Sequence, residues 1–499
     1  MEKIRFKTPK GTQDFLPAQT SVRRHVEGVV RQAFEAYGFQ EVETPIFEEF
    51  ALLAHRSGEE IREQMFTFVS EQVEYALRPE LTAPMCRLIA SGDLADLPLP
   101  YKLYYVGRCF RYGRPQAGRY REFTQAGLEL MGSAASAADA EVISVAVDVL
   151  RRLDVTPFVL KVGNIGMFRD LLSHLDFDLQ SRIIGHIDGI MSVREKCTTV
   201  LAKEALEFDD TEYAKNETAD LYKLQERIGY HGDLEIYPQE YDSETAVRAA
   251  LQRLPAVAEA TYQALWQADD LIEADTADLL VQVSRVRGKK QDVASQATSL
   301  LANTGAQQAW DALLQVCDWL EAFGVAEYDV VLGVARGLDF YTGTVFEIDS
   351  PLLGAQKQVC GGGRYDRLVE EFGGPSVPAT GFAFGFDRLV EVFMKSGHSV
   401  KTKPFDVFVA ITEVALLRKA ATIATELRRV GARCTIPLLD QDLRQQLGYA
   451  ANSGADYVVI LGPEEIREDK CRLRKLADRS EETIALSDLP SKVAKGALR

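Results

Sequence analysis

Three strand-like runs in this sequence carry arginine beside glycine, and that pairing restricts the folds the chain can adopt. The first, "FRYGRPQAGRYREF", holds Arg111, Arg114, Arg119 and Arg121. The second, "VARGLDFYTG" at 334–343, sits between the apolar segments 328–333 and 344–348 and holds Arg336. The third, "GFAFGFDRL", holds Arg388 where a helix begins. Arginine is almost never fully buried unless an anion meets it. The second run is therefore a strand end at the rim of a sheet, or Arg336 faces a cleft that takes an anion. A guanidinium fork stays charged and forms two parallel charge-assisted bonds, which suits a polyphosphate. Paired with surface Asp and Glu, the same arginines would be structural only.

The remaining composition bounds the reading. At 499 residues the chain has room for about three domains of roughly 150 residues each. Apolar residues make up 46% and charged residues 26%, as in ordinary soluble proteins. The net charge of −17 argues against a sequence-wide nucleic-acid coat but not against a local basic surface. Residues 401–499 hold 17 Lys and Arg against 14 Asp and Glu, a net +3, which leaves −20 on 1–400. That contrast hints at a phosphate-bearing partner for the C-terminal part. The N-terminus shows no apolar signal core, and no run of 18 apolar residues predicts a membrane span. Seven cysteines without C-x-x-C and only six histidines predict no zinc site and a reducing, cytoplasmic setting.

Apolar spacing over 20–37 predicts a helix that Gly38 ends. A strand with Pro45 at its middle follows, then a hairpin from "QMFTFVS" and "VEYALRP", and a helix over about 82–91. "LYYVGRCFRY" and "REFTQAGLELMGS" read as antiparallel strands joined by a basic loop. A helix over 138–153, a strand "FVLKVG" and a helix "GMFRDLLSHL" complete the first stretch. From about 178 to 327 apolar runs shorten and helical patterns dominate, which reads as a mainly helical insertion. Strands return at 328–350 and 356–363, followed by a helix expected from near Thr380. After the linker "KSGHSVKTKP", strands and helices alternate over 405–486, which implies βαβ units and a mixed sheet.

Other polar residues fall near the arginine runs. "LRPELTAP" puts Glu80 and Thr82 at a strand-to-helix turn. Alternation in "REFTQAGLELMG" sends Phe123, Gln125, Gly127 and Glu129 to one face, where a carboxylate pair could hold an ammonium group. The same alternation also describes a half-exposed sheet face. The three glycines of "VCGGGRYDRL" allow close backbone approach to a ligand, or a tight turn.

Together these stretches resemble the class II aminoacyl-tRNA synthetases, and within them the histidyl-tRNA synthetase family. "YVGRCFRYGRPQAGRYREFTQAGLELMG" resembles motif 2 and "ATGFAFGFDRL" motif 3. The helix 20–37 with "ETP" resembles motif 1, the dimer-interface element. "RGLDFYTGTVFE" and "GGGRYD" resemble the two histidine-specific signatures, and "LRQQLGYAANSGADYVVILGPEE" the anticodon-binding domain. The likeness covers about 1–175 and 328–499.

The resemblance implies an α+β catalytic domain with an antiparallel sheet, a mainly helical insertion and a C-terminal α/β anticodon-binding-like domain. The boundaries are 1–177 and 328–398 for the catalytic core, 178–327 for the insertion and 404–499 for the last domain. It implies ATP with Mg²⁺, L-histidine and tRNA(His) as partners, no metal held by protein side chains alone, and a homodimer. By resemblance Arg336 and Arg111 are catalytic, meeting the α-phosphate and the histidine carboxylate. Glu80, Leu81 and Thr82 form the segment that binds the amino group, with Gln125 also reaching the substrate. Phe340, Tyr341 and Tyr365 line the imidazole pocket, where Glu129 accepts from the ring. Arg119, Arg121 and Arg388 join Arg111 on ATP. Arg444, Arg472, Arg474 and Lys475 are the tRNA-phosphate candidates.

Two positions depart from the family pattern: Gly113 stands where motif 2 usually has glutamate, and Phe340 where tyrosine is common. The rival reading is a catalytically inactive paralogue that serves as the histidine-sensing regulatory subunit of ATP phosphoribosyltransferase. Such a paralogue usually lacks the arginine at the Arg336 position and the C-terminal domain, and both are present here. A third reading is a histidine-sensing or tRNA-binding paralogue without catalysis.

Overall fold

Apolar residues at helical spacing fold Pro17–Ala36 into a helix that buries Val22, Val26, Val30, Ala33 and Phe34. Gly38, at φ +82°, lies just past its end, as the sequence predicts. The computed structural model describes residues 6–55, 59–113, 120–201, 272–334, 340–354, 357–400 and 403–497, with short stretches between 252 and 266. Two units are distinct, Met1–His398 and Ser399–Arg499.

The first unit's strands begin with β1 (Gln40–Glu41), β2 (Phe47–Glu49), β3 (Thr67–Ser70), β4 (Val73–Leu77), β5 (Tyr101–Phe110) and β6 (Glu122–Met131). They continue with β7 (Val159–Asn164), β8 (Arg287–Gly288), β9 (Asp329–Val331), β10 (Thr344–Asp349), β11 (Gln358–Arg364) and β12 (Ala379–Gly385). Nine of these form one sheet in the order β1-β5-β6-β12-β11-β10-β7-β9-β8. The run from β5 to β7 is antiparallel throughout. β1 and β9 add in parallel, and β8 closes the far edge antiparallel to β9. β2, β4 and β3 make a separate antiparallel sheet. Glu71 and Gln72, both at positive φ, turn its β3–β4 hairpin.

The helix Ser136–Arg152 is buried along most of its length and packs on β6, β11 and β12. Side chains alternate across a strand, so this cover on one face leaves Gln125 and Glu129 of β6 on the other. That second face carries the site.

Two sequence expectations differ from the fold. The helix expected from Thr380 is the strand β12 up to Gly385, and the helix begins only at Phe386 and runs to Lys395. Thr380 to Gly385 is hydrogen-bonded on both sides, to β11 and β6, and this pairing overrides local helix preference. The expected insertion does contain helices, Phe177–Leu201, Ala274–Arg285, Lys290–Leu301 and Gln307–Ala322. Its later part is nevertheless built into the first unit. Arg287–Gly288 supplies β8, and Gln307–Ala322 packs on Ser136–Arg152. Residues 202–250 lie outside the described residues.

The second unit has β13 (Val407–Ile411), β14 (Cys434–Thr435), β15 (Tyr457–Leu461), β16 (Lys470–Lys475) and β17 (Glu481–Ala485). They form the expected mixed sheet, ordered β14-β13-β15-β16-β17, with the first three strands parallel. Helices Leu417–Arg429 and Leu489–Ala497 cover one face through Ile423, Leu427, Leu489 and Val493. Helix Leu443–Asn452 covers the other through Ala450. Its Asp442 cap accepts from the Gln445 backbone N–H at 2.8 Å. The sequence reading did not find Pro463–Arg467 or Leu489–Ala497. No helix among the described residues is long and apolar enough to cross a membrane.

Candidate active site

On the open face of the large sheet lies a cavity of about 400 Å³. It is lined by Glu80, Thr82, Arg111, Gln125, Glu129, Phe340, Tyr341, Tyr365 and Arg388, all expected from the sequence. They come from six places in the chain, Arg111 just past β5 and Phe340 and Tyr341 just before β10 among them. Glu80 and Thr82 lie in the turn between β4 and the helix Thr82–Ala90. Gln125 and Glu129 lie on β6, Tyr365 just past β11, and Arg388 in the first turn of Phe386–Lys395.

Glu129 forms the floor and is only 1% exposed. The Thr82 hydroxyl donates to its Oε1 at 2.9 Å and the Tyr105 hydroxyl to the same oxygen at 3.2 Å. The Tyr365 hydroxyl donates to Oε2. Burial pushes the carboxyl up to about 8, with the three hydroxyls pulling the other way. A Cβ on Gly381, the cross-strand partner of Glu129, would lie 1.6 Å from Oε2. Only glycine there leaves the carboxylate its place.

Glu80 is also buried, and burial raises its pKa. The backbone N–H groups of Thr82 and Ala83 donate to it, the latter at 2.9 Å, and with nearby Arg111 they favour the charged form. Arg111 reaches the cavity from the end of β5. Its Nε donates to the Pro79 carbonyl at 2.9 Å, and its guanidinium lies 5.4 Å from the Phe123 ring centroid. Arg388 donates to the Gln358 carbonyl at 2.9 Å. Beside it Asp387 accepts from the Thr124 N–H at 2.7 Å and from Arg23, which ties the helix Pro17–Ala36 to this corner. The cavity thus has two buried carboxyl groups at one end, Glu80 and Glu129, and guanidinium groups at Arg111 and Arg388.

Two expected residues stand elsewhere. Leu81 is buried in an apolar cluster with Met85, Cys86 and Ile89 and does not line the cavity. Arg121 lies on the Tyr112 ring at 4.1 Å, donates to the Gly113 carbonyl at 3.3 Å, and packs over Gly11. Arg336 and Arg119 lie outside the described residues, as does Arg114.

Several lining residues were not foreseen, among them Gln64, Glu347 and Asp387, while Phe123 lines the cavity on the strand face that alternation assigns it. Tyr105 was missed as a Glu129 partner because only the register of β5 against β6 brings it there. Gly113 lines the cavity, and a Cβ on it would meet Gln64 Oε1 at 3.5 Å. The Gln64 carboxamide therefore occupies the space beside that glycine. Arg364 of "GGGRYD" is structural. It is 7% exposed, pairs with buried Asp139 at 2.8 Å and donates to the Ser133 carbonyl at 3.0 Å.

In the second unit the basic strand β16 is matched by acidic neighbours. Arg472 pairs with Glu465 at 2.8 Å, Arg474 with Glu481 at 2.6 Å and Lys475 with Asp478 at 3.5 Å. Arg444 is exposed in the first turn of Leu443–Asn452.

Comparison with known proteins places the chain in a family. The histidyl-tRNA synthetase family model matches residues 11–264 and 234–389, and an anticodon binding domain model matches 406–496. A histidine–tRNA ligase of Methanocaldococcus jannaschii is 33% identical over 97% of this chain and 99% of its own length. One from Methanosarcina acetivorans is 34% identical over 97% of this chain and 98% of its own. The crystal structure of a Nostoc histidyl-tRNA synthetase, 21% identical, covers 99% of this chain and 100% of its own, with a TM-score of 0.68. At that identity the crystal structure speaks for the fold, while the family model and the near full-length relatives carry the assignment. The chain belongs to the histidyl-tRNA synthetase family.

Proposed function

We propose that this protein is a histidine–tRNA ligase that activates L-histidine with ATP and transfers it to tRNA(His). The observation that carries this is Glu129, buried and held by three hydroxyls at the floor of a cavity that also contains Arg111 and Arg388. A pocket built to hydrogen-bond a ring N–H rejects analogues that lack it, by up to about 10⁴–10⁵ in favourable cases. Glu129 accepts from the imidazole between Phe340, Tyr341 and Tyr365. Glu80 and Thr82 take the ammonium group, and Gln125 reaches the substrate beside them.

In activation the histidine carboxylate attacks the α-phosphorus of ATP, and the bond to pyrophosphate breaks. Two anions must meet, so the protein's contribution is positioning and charge neutralisation rather than a covalent nucleophile. Arg111 holds the carboxylate and α-phosphate, Arg336 meets the same phosphate, and Arg388 and Arg119 hold the outer phosphates. Mg²⁺ enters with the nucleotide as part of the substrate. In transfer, a ribose hydroxyl at the 3′ end of the tRNA attacks the activated carbonyl and AMP leaves. Arg444, with Arg472, Arg474 and Lys475 once released from their acidic neighbours, meets tRNA phosphates. These are backbone contacts, which position the tRNA without reading bases. The protein works as a cytoplasmic homodimer built on the motif 1 helix Pro17–Ala36.

The regulatory-subunit reading is not favoured. The similar proteins that match this chain almost end to end are histidine–tRNA ligases, and their matched length takes in the C-terminal unit. The test is ATP–pyrophosphate exchange with each amino acid in turn. Exchange driven by histidine alone, and lost in Arg336→Ala and Arg111→Ala, supports the assignment. Histidine binding without exchange in the wild type overturns it in favour of a sensor.

A further inference from the structure

Arg78 is 5% exposed and meets no carboxylate within hydrogen-bond distance among the described residues. Its guanidinium instead binds backbone from two other segments. Nε donates to the Arg108 carbonyl of β5 at 2.9 Å. Nη1 donates to the carbonyls of Thr44 at 2.7 Å and Pro45 at 3.0 Å, and to the Thr44 hydroxyl at 3.2 Å. The backbone of the same residue is held on both sides. Its N–H donates to the Ile46 carbonyl at 3.0 Å, and its carbonyl accepts from the Phe110 N–H at 3.0 Å.

Burying a guanidinium with no carboxylate hydrogen-bonded to it is costly, so the arrangement calls for a reason. Position supplies one. Arg78 is followed by Pro79, whose ring fixes φ, and then by Glu80. The Pro79 carbonyl is in turn held by Arg111. Residues 78–80 are thereby clamped from β5 and from the turn 44–46, and the last of them is the cavity carboxylate. The clamp also explains Gly107 of β5, where a Cβ would lie 2.6 Å from Arg78 Nη2.

We propose that Arg78 is a positioning residue that fixes Glu80 for the substrate ammonium group and couples that site to the turn at Thr44–Pro45. The proposal rests on the ligase reading and deepens it. A planar fork can span three carbonyls on two segments, whereas a lysine ammonium is a point charge on a flexible stem. Lysine at this position therefore keeps the charge and loses the clamp. A displacement of about 1 Å at Glu80 is enough to cost on the order of 100-fold in use of the substrate.

The test compares histidine with imidazole propionate, which has the ring and carboxylate but no ammonium group. Histidine KM in pyrophosphate exchange and inhibition by imidazole propionate are measured for wild type, Arg78→Ala, Arg78→Lys and Gly107→Ala. Gly107→Ala displaces the fork without removing it, so the proposal stays testable if Arg78→Ala does not fold. Circular dichroism selects the folded variants. The expected result is a rise in histidine KM of about 10–100-fold, with inhibition by the analogue unchanged. Equal weakening of both ligands, or no weakening of either, in the folded variants would overturn the proposal. Absence of histidine-dependent exchange in the wild type would instead overturn the ligase reading, and this proposal with it.

Discussion

Glu129→Gln separates what this carboxylate does for function from what it costs the fold. In the native protein burial pushes its pKa to about 8, from an ordinary value of 4.5. The folded state then holds a proton that the unfolded chain has released, so folding stability falls as pH rises from 4.5 to 8. One pKa unit corresponds to about 1.4 kcal/mol, so the cost is about 1 kcal/mol at pH 5 and roughly 4 kcal/mol at pH 8. Glutamine is uncharged and nearly isosteric, and the hydroxyls of Thr82, Tyr105 and Tyr365 can rotate to meet its amide. The variant should therefore gain about 3 kcal/mol on wild type between pH 5 and pH 8. For a unit of this size that is roughly 3–4 °C in melting temperature. Thermal melts of both proteins at several pH values measure the difference. The same variant should lose histidine-dependent exchange. A melting difference that stays flat from pH 5 to pH 8 would refute the claim that burial holds the Glu129 proton in the folded state.

Further outcomes follow from the same geometry. Gly381→Ala puts a methyl into the space of Glu129 Oε2, and histidine kcat/KM should fall at least about 100-fold while ATP KM holds, as measured by exchange. Glu80→Gln removes the charge facing the ammonium group, and histidine KM should rise about 10–100-fold. Gln64→Ala empties the space beside Gly113, and ATP KM should rise roughly 3–10-fold with histidine KM unchanged. A shift in histidine KM instead would move Gln64 to the amino-acid side.

Much of the site was legible through the resemblance of its motifs to the histidyl-tRNA synthetase family, and in β6 through local pattern as well. Alternation in β6 placed Gln125 and Glu129 on one face, and they line one cavity. What was illegible depends on neighbours far away in the chain. Tyr105 reaches Glu129 only through the β5–β6 pairing, and β12 is a strand only because β11 and β6 flank it. Gly381 read as part of a motif, but its reason is a carboxylate more than 200 residues earlier. Arg121 matched the arginine pattern yet packs on Gly11 and Tyr112, since one loop cannot aim every guanidinium inward. Arg78 drew no notice because a buried arginine satisfied by carbonyls has no sequence signature.

The most direct test of the account is aminoacylation itself. Purified protein, ATP with Mg²⁺ and radiolabelled histidine are incubated with a tRNA(His) transcript, and acid-precipitable label is counted. The account predicts label on this tRNA with histidine and none with the other amino acids. It also predicts none from Arg336→Ala or Glu129→Gln. Histidine that binds to the wild-type protein but never appears on tRNA would contradict it.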